Sequence, residues 1–159
     1  MHHHNLALAM SFRPDITVDS PAGESVLVVE CKVVRDARST DAAAVRRNPI
    51  VHGQVPIGAF FLLALPTTFL MWNPGADITA ASAFTASAES VLKDYLGAIV
   101  DREGGPREES LELAITSWLA DLVDGLRKPV DSSDADSMLV ASGVYDRIKG
   151  GYVRTGLDP

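Results

Sequence analysis

Arg13-Pro14-Asp15-Ile16-Thr17-Val18-Asp19, then the turn residues Ser20-Pro21-Ala22-Gly23-Glu24, then Ser25-Val26-Leu27-Val28-Val29-Glu30-Cys31-Lys32-Val33-Val34, form the stretch whose reading decides the fold. Ile16 to Asp19 and Ser25 to Val34 are rich in β-branched residues, which suit a pleated, half-buried surface. Between them Pro21 fixes its own φ and Gly23 admits backbone conformations closed to other residues, so the segment is read as a turn. The pattern predicts a β-hairpin. Its polar residues gather at one end, with Asp15 opening the first strand and Glu30 and Lys32 closing the second.

Register decides whether those three residues can cooperate. Side chains alternate across a strand, so Glu30 and Lys32 share a face while Cys31 points the other way, into the core. If Pro21 pairs with Glu24 across a two-residue loop, or Ser20 with Ser25 across four residues, Asp15 falls directly opposite Glu30. A three-residue loop separates them, so an even loop is the expectation. Two carboxylates opposed across a strand pair repel each other unless positive charge lies between or beside them. A divalent cation supplies that charge. Its expected ligands are Asp15, Glu30, the backbone carbonyl of Cys31, water and a substrate phosphate, an oxygen set suited to Mg²⁺ or Mn²⁺. Lys32 would orient a nucleophilic water, help lower its pKa, or stabilise developing charge, three roles among which the sequence does not choose. The competing reading is a solvent-exposed strand end with a cross-strand ion pair.

Outward from the hairpin, Asp36 to Gln54 turns helical, with Ser39, Thr40 or Asp41 as N-cap candidates and Pro49 and Gly53 kinking or ending it. Ala59-Phe60-Phe61-Leu62-Leu63-Ala64-Leu65 is a continuous apolar run suited to a strand covered on both faces, and Thr67 to Trp72 follows Pro66 as its hairpin partner. These make a sheet of at least four strands. Past Asn73-Pro74-Gly75 the chain reads as helical: Phe84, Ala88, Val91, Leu92, Tyr95, Leu96 and Ile99 mark one face, and Leu111, Ile115, Trp118, Leu119, Leu122 and Leu126 another. Gly104-Gly105-Pro106 separates the two helices and Gly125 to Pro129 ends the second. A short helix is expected over Ser137 to Lys149, with Tyr152-Val153-Arg154 as a last edge strand. Trp72, Tyr95 and Trp118 are read as filling the core or covering its edge, and Tyr145 as a helix end or a residue that approaches DNA.

The 159 residues, 47% hydrophobic and 22% charged, are expected to form one domain with a real core over residues 11–159, comprising a core at 11–72 and a helical part at 73–159. Residues 1–10 are read as a tag remnant or disordered start, without the basic region and long apolar core of a secretory signal. The apolar run Ile57 to Trp72 is interrupted by Gly58 and Pro66 and is short for a membrane span, so no membrane partner is expected. A single cysteine excludes an internal disulfide and fits a cytoplasmic protein. A net charge of -7 argues against coating nucleic acid through the overall field, so any DNA contact must be local. Lys32, Arg35, Arg38, Arg46 and Arg47 lie close in sequence, whereas the acids gather in the C-terminal half.

Pro14-Asp15, a spacer containing a turn, and Glu30-Cys31-Lys32 at the end of an apolar strand together resemble the active-site signature of the PD-(D/E)XK, or restriction-endonuclease-like, nuclease superfamily. Asp15, Glu30 and Lys32 match it residue for residue. The following helix and the strand Phe60 to Leu65 fit the order of that core, and Phe61 to Trp72 resembles segments of uncharacterised bacterial members. The resemblance spans residues 11–72. It implies an α/β fold, a central mixed β-sheet flanked by helices, here with additional C-terminal helices. It also implies a Mg²⁺-dependent endonuclease acting on DNA, alone or as a homodimer or larger complex, in which Asp15 and Glu30 hold the metal and Lys32 assists the water. Members usually carry a further glutamate on a helix before the sheet, and here no acidic residue precedes Asp15. Gln54 resembles a glutamine that some subfamilies use to orient the lysine or bind DNA. Arg46 and Arg47 are read as a solvated helix face or a phosphate clamp, and His52 as a loop or cap residue. The alternative function is a catalytically degenerate nuclease fold that serves as a binding or interaction module.

Overall fold

The computed structural model describes residues 15–33, 55–77, 80–97 and 107–156. The helix expected between Asp36 and Gln54, with Arg46, Arg47, His52 and Gln54, lies outside the described residues, as do Ile99, the Gly104-Gly105-Pro106 separator and the N-terminal ten residues. The described chain is α/β. Its strands are β1 (Ile16–Asp19), β2 (Ser25–Cys31), β3 (Phe60–Ala64), β4 (Thr68–Trp72), β5 (Phe84–Ser87) and β6 (Tyr152–Thr155). Its helices are α1 (Glu89–Leu96), α2 (Glu108–Asp124), α3 (Asp134–Ser142) and α4 (Val144–Ile148).

The six strands make one mixed sheet in the order β5-β4-β3-β2-β1-β6. Only the central pair, β2 and β3, is parallel, with Cys31 beside Ala64. A parallel pair needs a crossover of a dozen or more residues, and the chain between Cys31 and Phe60 supplies it. Both central strands are buried along nearly their whole length, as expected of apolar runs covered on two faces. The antiparallel β3–β4 hairpin turns at Pro66 as the sequence predicts.

Alternation along β2 divides the core. Leu27, Val29 and Cys31 face the cluster formed with all four helices, where Leu111, Ile115, Trp118 and Leu119 of α2 are fully buried. Val28 faces the other side, with Ala59, Phe61, Leu63, Leu65 and Trp72. Glu30 belongs to this second face by parity. Trp118 packs 5.6 Å from the ring of Phe69, so truncating it to Ala is expected to destabilise the fold by about 3–5 kcal/mol.

The structure corrects several expectations. Phe84 begins a strand, not the helix whose face it appeared to mark: β5 pairs with β4, Ala86 against Phe69, and the helix starts only at Glu89. Leu126 is 78% exposed beyond the end of α2, because Gly125, at φ 78°, has already turned the chain into the left-handed region. The single helix expected over Ser137 to Lys149 is two helices, divided at Gly143 with φ 89°. β6 forms as predicted, pairing Val153 with Val18. The part after residue 73 therefore adds two strands to the sheet as well as helices. Gly151 packs so closely on the Asp19 carbonyl that a Cβ would overlap it.

Candidate active site

Asp15, Glu30 and Lys32 come together at one end of the sheet, at the carboxyl ends of β2 and β3. The register that brings them there arises differently from the expectation. Asp19 pairs with Ser25, leaving a five-residue turn of odd length, and that register alone would offset Asp15 from Glu30. A β-bulge at Val26 in β2 then shifts the pairing by one, to Val18 with Leu27 and Ile16 with Val29. A bulge places two residues against one on the neighbouring strand. Its effect is to restore the parity that sets Asp15 against Glu30.

Each group is held locally. The Asp15 N–H donates to the Val29 carbonyl at 2.9 Å, and the Asp15 carbonyl accepts from Gly156 N–H at 2.8 Å. Its carboxylate Oδ2 accepts from the Cys31 N–H at 2.6 Å. Lys32 N–H donates to the Ala64 carbonyl at 3.1 Å, anchoring the end of β2 on β3. From there the Lys32 Nζ reaches Glu30 Oε2 at 3.6 Å. Glu30 is 4% exposed, and among the described residues its buried Oε1 has no hydrogen-bond partner.

The electrostatics follow from that burial. Removal from water, then the charge of Asp15, pushes the Glu30 carboxyl up to about 8, against the downward pull of Lys32. Glu30 therefore holds its proton through neutral pH in the absence of further positive charge. Asp15 is also raised, first by burial and further by Glu108, while the Cys31 N–H and Lys32 pull it down. The Cys31 thiol lies on the helix-facing side, buried, and burial pushes its pKa up. A thiolate nucleophile has no support here.

Two acids that the sequence reading did not single out complete the surroundings. Glu108 and Glu112 stand one turn apart on α2, whose Glu108 Oε1 accepts from the Val33 N–H at 3.4 Å. Glu112 is half-buried, and its carboxyl is raised by burial and then by the charge of Asp15. Their i,i+4 spacing at a helix start reads in sequence as a solvated face favoured by the helix dipole. The only signal that could have selected them is that the flanking apolar stripe docks this helix beside β2.

Asp15 and Glu30 fit a divalent cation in donor type, in charge and in the orphaned Glu30 oxygen. Among the described residues no three metal-ligating side chains converge on one point. A cavity of about 630 Å³ opens at the same end of the sheet, beyond the β3–β4 turn, with Thr67, Ser87 and Lys93 in its wall. No described helix is long and apolar enough to cross a membrane. Trp72 and Trp118 fill the core and Tyr95 covers its edge, as expected, and the Tyr95 hydroxyl donates to Asp121 at 2.8 Å. Tyr145 packs against the core rim with Lys149 over its ring.

Neither a family model, nor a curated protein, nor a solved structure matches this chain.

Proposed function

We propose that this protein is a Mg²⁺- or Mn²⁺-dependent nuclease that hydrolyses phosphodiester bonds in DNA, with Asp15, Glu30 and Lys32 as its working groups. The observation that carries the reading is Glu30: a carboxyl 4% exposed, facing a second carboxyl, with one oxygen left without a donor. Burying such a group uncompensated is unfavourable. A surface ion pair would not bury it. A cation held by Asp15, Glu30 and the Cys31 carbonyl would neutralise both acids and supply Lewis-acid polarisation of the phosphate.

The chain's own residues do the rest. The Cys31 N–H fixes one oxygen of Asp15, which leaves the other for a cation. Loss of the Glu30 proton, favoured as positive charge arrives, completes the acidic pair. Lys32, 38% exposed at its side chain, lies where its ammonium can orient an attacking water and offset charge building on the phosphorus-bound oxygens. In the reaction a bond forms from water oxygen to phosphorus, an ester P–O bond breaks, and the leaving oxygen takes up a proton.

The test is cleavage of plasmid and linear DNA with Mg²⁺ or Mn²⁺. Glu30→Ala and Lys32→Ala should each reduce cleavage by at least two orders of magnitude while circular dichroism remains that of the wild type; cleavage retained in both variants contradicts the assignment. One observation favours a non-catalytic binding module instead, namely that no three metal-ligating side chains converge among the described residues. DNA binding with no cleavage and no divalent-cation dependence would select that second reading.

A further inference from the structure

The cavity beyond the β3–β4 turn has a wall fixed by backbone hydrogen bonds. The Leu65 N–H donates to the Thr68 carbonyl at 3.0 Å, closing the turn, and the Ala88 N–H donates to the Thr67 carbonyl at 3.1 Å, tying the turn to the start of α1. The space it offers is about 630 Å³, within the range of small-ligand sites.

Opposite charges share this wall without joining. Glu89 and Lys93 stand four apart on α1, a spacing at which such side chains commonly pair, and both line the cavity. Among the described residues neither forms an ion pair. Two hydroxyls accompany them, each already used as an acceptor. Ser87 Oγ accepts from the Glu89 N–H at 3.1 Å, and Thr67 Oγ1 accepts from the Thr68 hydroxyl at 3.4 Å. Their own O–H groups remain available as donors. The apolar part of the wall is Pro66 and Leu92, the latter 4% exposed. One carboxylate acceptor, one ammonium and two hydroxyl donors therefore surround an apolar surface. A flat ring with an amino donor and ring acceptors on its edge, carried by an anionic chain, complements that set.

Position agrees with chemistry. Cys31 lies beside Ala64 and Ala64 beside Phe69, so two strand spacings, about 10 Å in all, separate the acid-bearing end of β2 from the start of β4. That is the length of about three stacked nucleotides at about 3.4 Å each. We propose that the cavity receives the base of an unpaired nucleotide near the scissile bond and selects bases that carry an exocyclic amino group. The inference rests on the reading of the protein as a nuclease. Glu89 accepts from the amino group, the hydroxyls donate to ring nitrogen or carbonyl, and Lys93 meets a phosphate oxygen. Thymine is disfavoured, because carbonyl oxygens flank its one N–H donor and set acceptors against the Glu89 carboxylate. A base inside a duplex is excluded, since its edge is already paired and it must leave the stack to enter a pocket.

Fluorescence anisotropy with the full chain at pH 8 in EDTA tests the assignment, using labelled oligo(dC), oligo(dT) and a duplex of equal length. The wild type should bind oligo(dC) about tenfold more tightly than oligo(dT), and more tightly than the duplex. Glu89→Gln keeps the side-chain volume but adds an amide donor that suits thymine, and should bring the two single strands within about twofold. Lys93→Ala should weaken both a few-fold and keep the preference. A purely structural role for Glu89 in the first turn of α1 would leave the ratio unchanged. Equal binding of oligo(dC) and oligo(dT) by the wild type, a preference that survives Glu89→Gln, or a duplex bound as tightly as oligo(dC) overturns the inference and leaves the Asp15, Glu30 and Lys32 assignment standing. If the wild type binds none of the three, the nuclease reading falls with it.

Discussion

Two buried carboxylates in this fold are built to opposite specifications. Asp136, 1% exposed in α3, accepts from the Trp118 indole at 2.7 Å, from Arg127 Nε and the Val130 N–H at 3.0 Å each, and pairs with Arg127 Nη2 at 2.9 Å. Arg127 in turn reaches Asp94 and lies over the Tyr95 ring. Glu30, buried nearly as deeply, meets one lysine at 3.6 Å and leaves an oxygen without a partner. A saturated carboxylate holds helices in place, and an unsaturated one is available for chemistry. On the proposed reading, the contrast separates a group that serves stability from one that serves function.

Removing the saturated group should have the largest effect. Asp136→Ala strands the Arg127 guanidinium and the Trp118 N–H, and is expected to lower unfolding free energy by about 3–5 kcal/mol, read by urea denaturation. Cleavage by the residual folded protein should change little. If Asp136→Ala instead abolished cleavage at full stability, the division of roles proposed here would fail.

Glu30→Gln should act in the reverse sense. A carboxyl raised from about 4.5 to about 8 in the folded state binds its proton more tightly folded than unfolded. Stability from this group is therefore present at low pH, is lost as pH rises across the window from about 4.5 to about 8, and is flat above it. The loss is on the order of a few kcal/mol. Glu30→Gln carries no proton to lose, so its stability curve without divalent cations should lack this decline and exceed the wild type above pH 8. A wild-type curve that rises through this window by more than its other groups explain would contradict the assignment.

On the proposed reading, proton and cation compete for the same oxygens. Mn²⁺ affinity of the wild type should weaken by about an order of magnitude or more on going from pH 8.5 to pH 6.5, measured by calorimetry. The smallest expected effect lies in the cavity wall: Lys93→Ala should weaken DNA binding only a few-fold and reduce the salt slope by about one, leaving cleavage of saturating DNA intact. An unchanged slope would show that Lys93 does not contact DNA.

How far the sequence disclosed this arrangement depends on whether the information was local. β1 appears at the expected residues and β2 begins where expected, because β-branched runs are bounded there by a Pro and Gly turn. The convergence of Asp15 and Glu30 was legible in outcome but not in route. The bulge at Val26 carries no glycine or other local mark, and an odd turn corrected by a bulge gives the same alignment as an even loop. Phe84 to Ser87 was missed because Phe84 and Ala88 continue the apolar spacing of α1 backward, and a four-residue edge strand has too little alternation to compete. Gly143 reads as a tolerated helix interior until its positive φ divides the helix. Glu108 and Glu112 were invisible as site residues because only tertiary docking of α2 brings them to the end of β2.

The most direct test is a carbon-detected NMR titration of the Glu30 carboxyl, with and without Mg²⁺. The account predicts a midpoint near 8 in the absence of the cation and a fall of at least one unit when Mg²⁺ is added. An ordinary carboxylate midpoint near 4.5, or a raised one that Mg²⁺ leaves in place, would contradict it.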